Sequence, residues 1–229
     1  MIKVFLRRVT CRHRPQIFRK TAVSRIDRRR LKKEAQILCQ ARHSAVPRPL
    51  DFAERAASSE LLMERMPGVP LSQILQEGQS VPNACLEQIG DAILHLHNLG
   101  WNHSDIKPAN ILINETDAYL VDFNAAAPLG KNYSELSERS FSPSFASWKQ
   151  LTGRGTVSVR DDLFSLEVTR FVNSTHRHPF RGQSVAAFFS LDANDIYLAT
   201  KAFGRHFRDC VLEQYDNFQS ETQDMQSLN

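Results

Sequence analysis

Apolar and polar positions along the chain change period several times, and each change marks an element. Residues 2–8 (IKVFLRR) and 16–23 (QIFRKTAV) are rich in β-branched and aromatic residues, and TCRHRP between them reads as a turn. That pattern predicts two paired strands. The spacing then becomes helical over 27–41, with Leu31, Ala35 and Leu38 on one stripe and Ile37 widening it. Asp27 suits its N-cap or first turn, and Pro47 and Pro49 stop it. Apolar runs near 50–53 and at 60–65 predict two further strands around the soft loop AERAASS. RMPGVPL, a breaker-rich connector after Glu64, sets an expected boundary between a small lobe, 1–66, and a larger one, 67–215. Residues 83–99 predict a helix with Gly100 as its stop. The runs 111–113 and 119–121 predict a hairpin with a turn of four to five residues rather than a tight one. A polar stretch over 130–144 and a helix from about Asp161 to Val172 follow. The QDN-rich end, 216–229, is expected to fray.

At 229 residues, 41% hydrophobic and 24% charged, the chain suits one domain or two small lobes sharing a core. No window has the roughly 18 apolar residues of a membrane span, and MIKVFLRR lacks the apolar core of a secretory signal. A cytoplasmic location is therefore expected, with delivery into another cell by a specialised secretion system as the alternative. Cys11, Cys39, Cys85 and Cys210 are scattered without a C-x-x-C pair, which argues against zinc or a disulfide framework. Charge is uneven. Residues 1–50 hold 15 Lys or Arg against Asp27 and Glu34, a balance of +13, whereas 51–229 hold 14 basic and 23 acidic residues, a balance of −9. The basic end suits an acidic partner or an anionic surface. Nucleic acid is disfavoured, because no aromatic interleaving or recognition motif accompanies the charge.

Candidate chemistry concentrates in HSDIKPANILINETDAYLVDFN, residues 103–124. The hairpin would bring Asn110, before its first strand, close to Asp122, after its second. One amide oxygen and one carboxylate on adjacent loop ends make a seat for Mg2+, which takes its other ligands from water and phosphate. Asp105 and Lys107 on the preceding loop supply a proton acceptor and a point charge for a phosphate. HSDIKPANIL followed by DFN resembles the catalytic loop and metal motif of eukaryotic-type Ser/Thr protein kinases. The resemblance implies an α+β fold, a two-lobed protein-kinase-like architecture with a reduced N-lobe. It implies ATP with Mg2+, or Mn2+, and a protein substrate. It makes Asp105 the residue that orients or deprotonates the substrate hydroxyl, Lys107 the one that steadies the phosphate, and Asn110 and Asp122 the metal ligands. RRLKKEAQIL resembles the αC helix, with Glu34 as its ion-pairing acid. ELLMERMPGVPL resembles the hinge, with Met63 as gatekeeper and the backbone of Glu64 and Met66 facing adenine. FSPSFASWKQL then VRDDLFSLEV resembles the end of the activation segment and the following helix, with Asp162 holding the catalytic-loop backbone. Lys20 in IFRK fits the phosphate-clamping lysine, and Lys3 in IKVF competes with it.

The chain also departs from the pattern. No G-x-G-x-x-G occurs, and Met1 falls about where that loop should already have passed, so basic N-terminal side chains are expected to replace its backbone cradle. Ser104 stands where the family has the Arg that receives an activation-loop phosphate. Asn124 stands for the DFG Gly and is expected to take a left-handed turn. Trp148 and Lys149 replace Pro-Glu, which removes a salt bridge near the C-terminus. These changes leave the residues implied to touch metal or accept the proton in place. A protein kinase is thus expected, with a pseudokinase scaffold, or a lipopolysaccharide or small-molecule kinase, as alternatives.

Overall fold

The computed structural model describes residues 16–191, 196, 200, 201 and 203–226. The expected strand at 2–8, Lys3 and Cys11 lie outside them. β1 (Ile17–Ala22), β2 (Pro49–Glu54) and β3 (Ser59–Glu64) form an antiparallel sheet in the order β1-β3-β2. α1 (Arg25–Gln40) packs on this sheet and on the turn at Phe123–Ala125. Its cap is Ser24, whose hydroxyl accepts from the Asp27 N–H, so Asp27 is the first-turn acid. Leu31, Ala35, Ile37 and Leu38 are buried, as the stripe requires.

After the connector, β4 (Val69–Pro70) pairs with β6 (Ile111–Asn114), which pairs in turn with β7 (Asp117–Leu120). α2 (Leu71–Gln76) leads into α3 (Asn83–Asn98), and Gly100 just beyond it has φ +83°. β5 (Trp101–Asn102) pairs with β8 (Ala127–Pro128). The β6–β7 turn is tighter than the sequence suggests. Asn114 pairs with Asp117, leaving Glu115 and Thr116 as the loop, because Glu115 takes a left-handed φ of 55° that closes the chain in two residues.

α4 (Trp148–Thr152), α5 (Val159–Thr175), α6 (Val185–Phe189) and α7 (Arg205–Gln226) follow among the described residues of the larger lobe. One apolar core runs through both lobes, from Leu38 and Leu61 through Ile89 and Ile93 to Leu120 and Phe123. A second joins Phe164, Phe180 and Phe189 to Phe207 of α7. The end of the chain differs from expectation, since helix continues past residue 216 to Gln226. Two aromatics interrupt its polar composition: Tyr215 and Phe218 pack on Phe189, and Phe218 meets Trp148 edge to face at 4.9 Å.

Candidate active site

Two loops and one strand converge on a cleft of 620 Å³ lined by Lys20, Leu31, Asp105, Lys107, Asp122 and Asn124, among others. β1 delivers Lys20 from the sheet. Its Nζ donates to Glu34 Oε1 at 2.7 Å and to Asp122 Oδ1 at 2.8 Å, so one ammonium ties strand, helix and loop together. Burial works against the Lys20 charge, but the Glu34 and Asp122 carboxylates outweigh it and hold its pKa above the ordinary lysine value. Burial likewise opposes the Asp122 carboxylate, and Lys20 overcomes it to hold the group below the usual range. Burial pushes the Glu34 carboxyl up, with Lys20 pulling the other way. Glu34 Oε1 also accepts the Phe123 N–H at 3.1 Å, which locks α1 to the turn after Asp122.

The loop carrying Asp105 is fixed from below. Asp162, fully buried in the first turn of α5, accepts the His103 N–H at 2.7 Å and the Ser104 N–H at 2.8 Å, and contacts His97 Nε2 at 2.9 Å. His103 packs edge to face on Phe123 at 4.9 Å. On this support Asp105 Oδ2 accepts from Lys107 Nζ at 2.7 Å and from Asn110 Nδ2 at 3.1 Å. Asp105 Oδ1 is buried without a hydrogen-bond partner. A buried carboxylate oxygen with no donor is chemically suited to accept a proton.

Asn110 also donates to the Asp105 carbonyl at 2.9 Å, which leaves its Oδ1 as the remaining polar atom. Hydrogen bonds to Asp122 end on its Oδ1, from Lys20 and from Asn124 Nδ2 at 2.9 Å. One amide and one carboxylate oxygen fit a Mg2+ that keeps water and phosphate ligands. Among the described residues no group of three His, Cys, Asp or Glu forms a closed metal cage.

The left-handed position in this turn is Asp122, at φ 68° and ψ 75°, and Asn124 lies within the 3-10 turn Phe123–Ala125 without positive φ. The expected left-handed Asn124 is therefore corrected. Its side chain instead bonds the residue that carries the unusual backbone.

Met63, Glu64 and Met66 do not line the cleft of 620 Å³. Met63 and Met66 are buried, and Glu64 donates its N–H to the Arg48 carbonyl at 2.8 Å. Several contributors escape the motif reading. Ser142 Oγ accepts from Lys107 Nζ at 2.7 Å. Gln150, buried in α4, donates to the Ser104 carbonyl at 2.9 Å. Asp161 gathers Ser147 Oγ, Tyr133 OH and the Ser158 N–H. FSPSFASWKQL held Ser142 and Gln150 in plain view, but their partners are 35 and 46 residues away.

Comparison with known proteins places the chain in a family. The family model described as protein kinase domain matches residues 15–228. Serine/threonine-protein kinase pkn2 of Myxococcus xanthus is 30% identical over 176 residues, covering 72% of this chain and 21% of that protein. Serine/threonine-protein kinase PknB of Mycobacterium tuberculosis is 32% identical over 167 residues, covering 68% and 26%. The hormonally up-regulated neu tumor-associated kinase of Mus musculus is 32% identical over 180 residues, covering 70% and 25%. The chain spans about a fifth to a quarter of the length of these curated relatives. With a kinase-domain match over nearly its whole length and these relatives, the chain belongs to the eukaryotic-type Ser/Thr protein kinase family.

Proposed function

We propose that this chain transfers the γ-phosphoryl group of ATP to a Ser or Thr hydroxyl of a protein substrate. The observation that carries the reading is the unpartnered, buried Oδ1 of Asp105 beside Lys107, on the cleft that Lys20 and Asp122 also line. In this reading adenine lies against the backbone of Glu64 and Met66, with Met63 behind it. Lys20, steadied by Glu34 and Asp122, takes the phosphate oxygens. Asn110 and Asp122 hold Mg2+ or Mn2+, which when bound neutralises charge on those oxygens. Asp105 Oδ1 accepts the proton of the substrate hydroxyl, whose oxygen bonds the γ-phosphorus as the bond to the bridging oxygen of ADP breaks. Lys107 balances charge on the group in transit. Positioning and electrostatics supply the rate, with no covalent enzyme intermediate.

The cytoplasm is the compartment this reading assumes, and no described helix is long and apolar enough to cross a membrane. The charge asymmetry adds an acidic protein or anionic surface as a partner for the basic end. A second reading is a non-catalytic binding module. Labelled ATP with Mg2+ and generic basic and acidic proteins separates the two. Label on Ser or Thr that disappears in Asp122→Ala is the expected result. No transfer and no ATP-induced thermal shift would leave only the binding module.

A further inference from the structure

The first half of α1 is built against itself. Arg25, Arg28, Arg29, Arg30, Lys32 and Lys33 crowd its first turns, with Asp27 as the one acid before Glu34. The partial positive charge of the helix N-terminus adds to theirs. Arg28 finds the Arg55 and Ala56 carbonyls, and the remaining positive charge of this half of the helix favours carboxylates supplied from outside it.

Among the described residues, two outside acids pair with these cations. Glu54 meets Lys32 at 2.9 Å, but those side chains are 47% and 50% exposed, and such a pair contributes little. Glu138 accepts from Arg30 Nε at the same 2.9 Å, with side chains only 17% and 28% exposed. Glu138 also reaches a cavity of 250 Å³ whose lining includes Arg29, Lys33 and Lys131. Burial, with Arg30 adding to it, holds Lys33 below the usual lysine pKa, and Glu138 pulls the other way.

Position in the chain gives this pair its consequence. Arg30 stands one helical turn before Glu34, on the same face. Four residues after Glu138, Ser142 accepts from Lys107 in the catalytic loop. The short stretch 138–142 thus grips α1 at one end and the Asp105 loop at the other. Ser104, where the family carries an Arg, brings no cation to this stretch.

We propose that Glu138 is a positioning residue, a built-in anion that keeps α1 turned inward so that Glu34 meets Lys20. The carboxylate belongs to the chain, so this task requires no added phosphate. The kinetic half of the inference rests on the kinase reading above, and the structural half stands without it.

The test compares wild type with Glu138→Asp, Glu138→Gln and Glu138→Lys by hydrogen–deuterium exchange and by kinetics with ATP. In Glu138→Gln, deuterium uptake over 25–40 rises while α3 uptake stays unchanged. It rises further in Glu138→Lys and returns toward wild type in Glu138→Asp. The rate follows the same order, with kcat about tenfold lower in Glu138→Gln and the KM for ATP changed much less. Wild-type uptake over 25–40 in Glu138→Gln overturns the inference, as does an equal rise in α3. A wild-type protein without transfer would defeat the kinase reading alone, and the exchange comparison would still decide this one.

Discussion

His103 shows how much of the site depends on single buried atoms. Its Nδ1 accepts the Asp105 N–H at 3.3 Å and its Nε2 lies 3.2 Å from the Val121 carbonyl, so the neutral ring with a proton on Nε2 satisfies both. Burial holds its pKa below the ordinary histidine value, although Asp162, Asp105 and Asp122 oppose the shift. The sign follows directly. Between the lowered folded value and an unfolded value of about 6.5, the unfolded chain binds the extra proton, so stability is full above about pH 6.5 and falls as pH drops. Urea midpoints at about pH 7.5 and 5.5 check this: wild type should lose more on acidification than His103→Phe, which keeps a ring against Phe123. At this scale the motif residues were legible because their spacing is local. Asp105, Lys107 and Asn110 lie within six residues of one another. Glu138, Ser142 and Gln150 were opaque because each acquires meaning only from a partner on another element. Asn124 misled for a different reason. A residue type that tolerates left-handed backbone need not adopt it, and here the three-way bonding of Lys20, Glu34 and Asp122 fixes the turn two residues earlier, at Asp122.

At the scale of elements, the connector between the lobes has a sharper requirement than its composition suggests. Gly68 lies at φ +99°, and a Cβ there would overlap the Ile113 carbonyl across the β4–β6 pair. Gly68→Ala should therefore destabilise the protein by at least ~2 kcal/mol, read from urea denaturation, whereas Gly78→Ala has open space and should suffer only its own φ strain. Helices and strands with a clear period were placed close to their observed bounds, α3 among them. The hairpin turn was misjudged because Asn114 and Asp117, polar residues that read as loop, continue the strand pairing. Polar side chains on an exposed strand end cost nothing in a sheet, so composition could not separate loop from ladder there.

For the whole molecule, the larger lobe closes through aromatic packing where the family pattern has an ion pair. Trp148 donates its backbone N–H to Gln214 Oε1 at 3.0 Å and sets its ring against Phe218, which fastens α4 to α7. Trp148→Ala should cost about 2–4 kcal/mol and release α7 first, seen as a rise in deuterium uptake over 205–226 before α3 is affected. The fold class was readable through the resemblance that HSDIKPANIL and DFN carry, with the helical and strand periods falling in an order consistent with it. The route of the end of the C-terminal helix was not, since beyond Phe207 and Val211 its anchors are two aromatics in a polar run. The central claim is that this fold presents Asp105 as a proton acceptor to a hydroxyl beside bound ATP. Its most direct test is phosphoryl transfer and ATP affinity measured together in wild type and Asp105→Asn. The expected result is a kcat at least ~100-fold lower with ATP affinity retained. Equal transfer by wild type and Asp105→Asn would contradict the account.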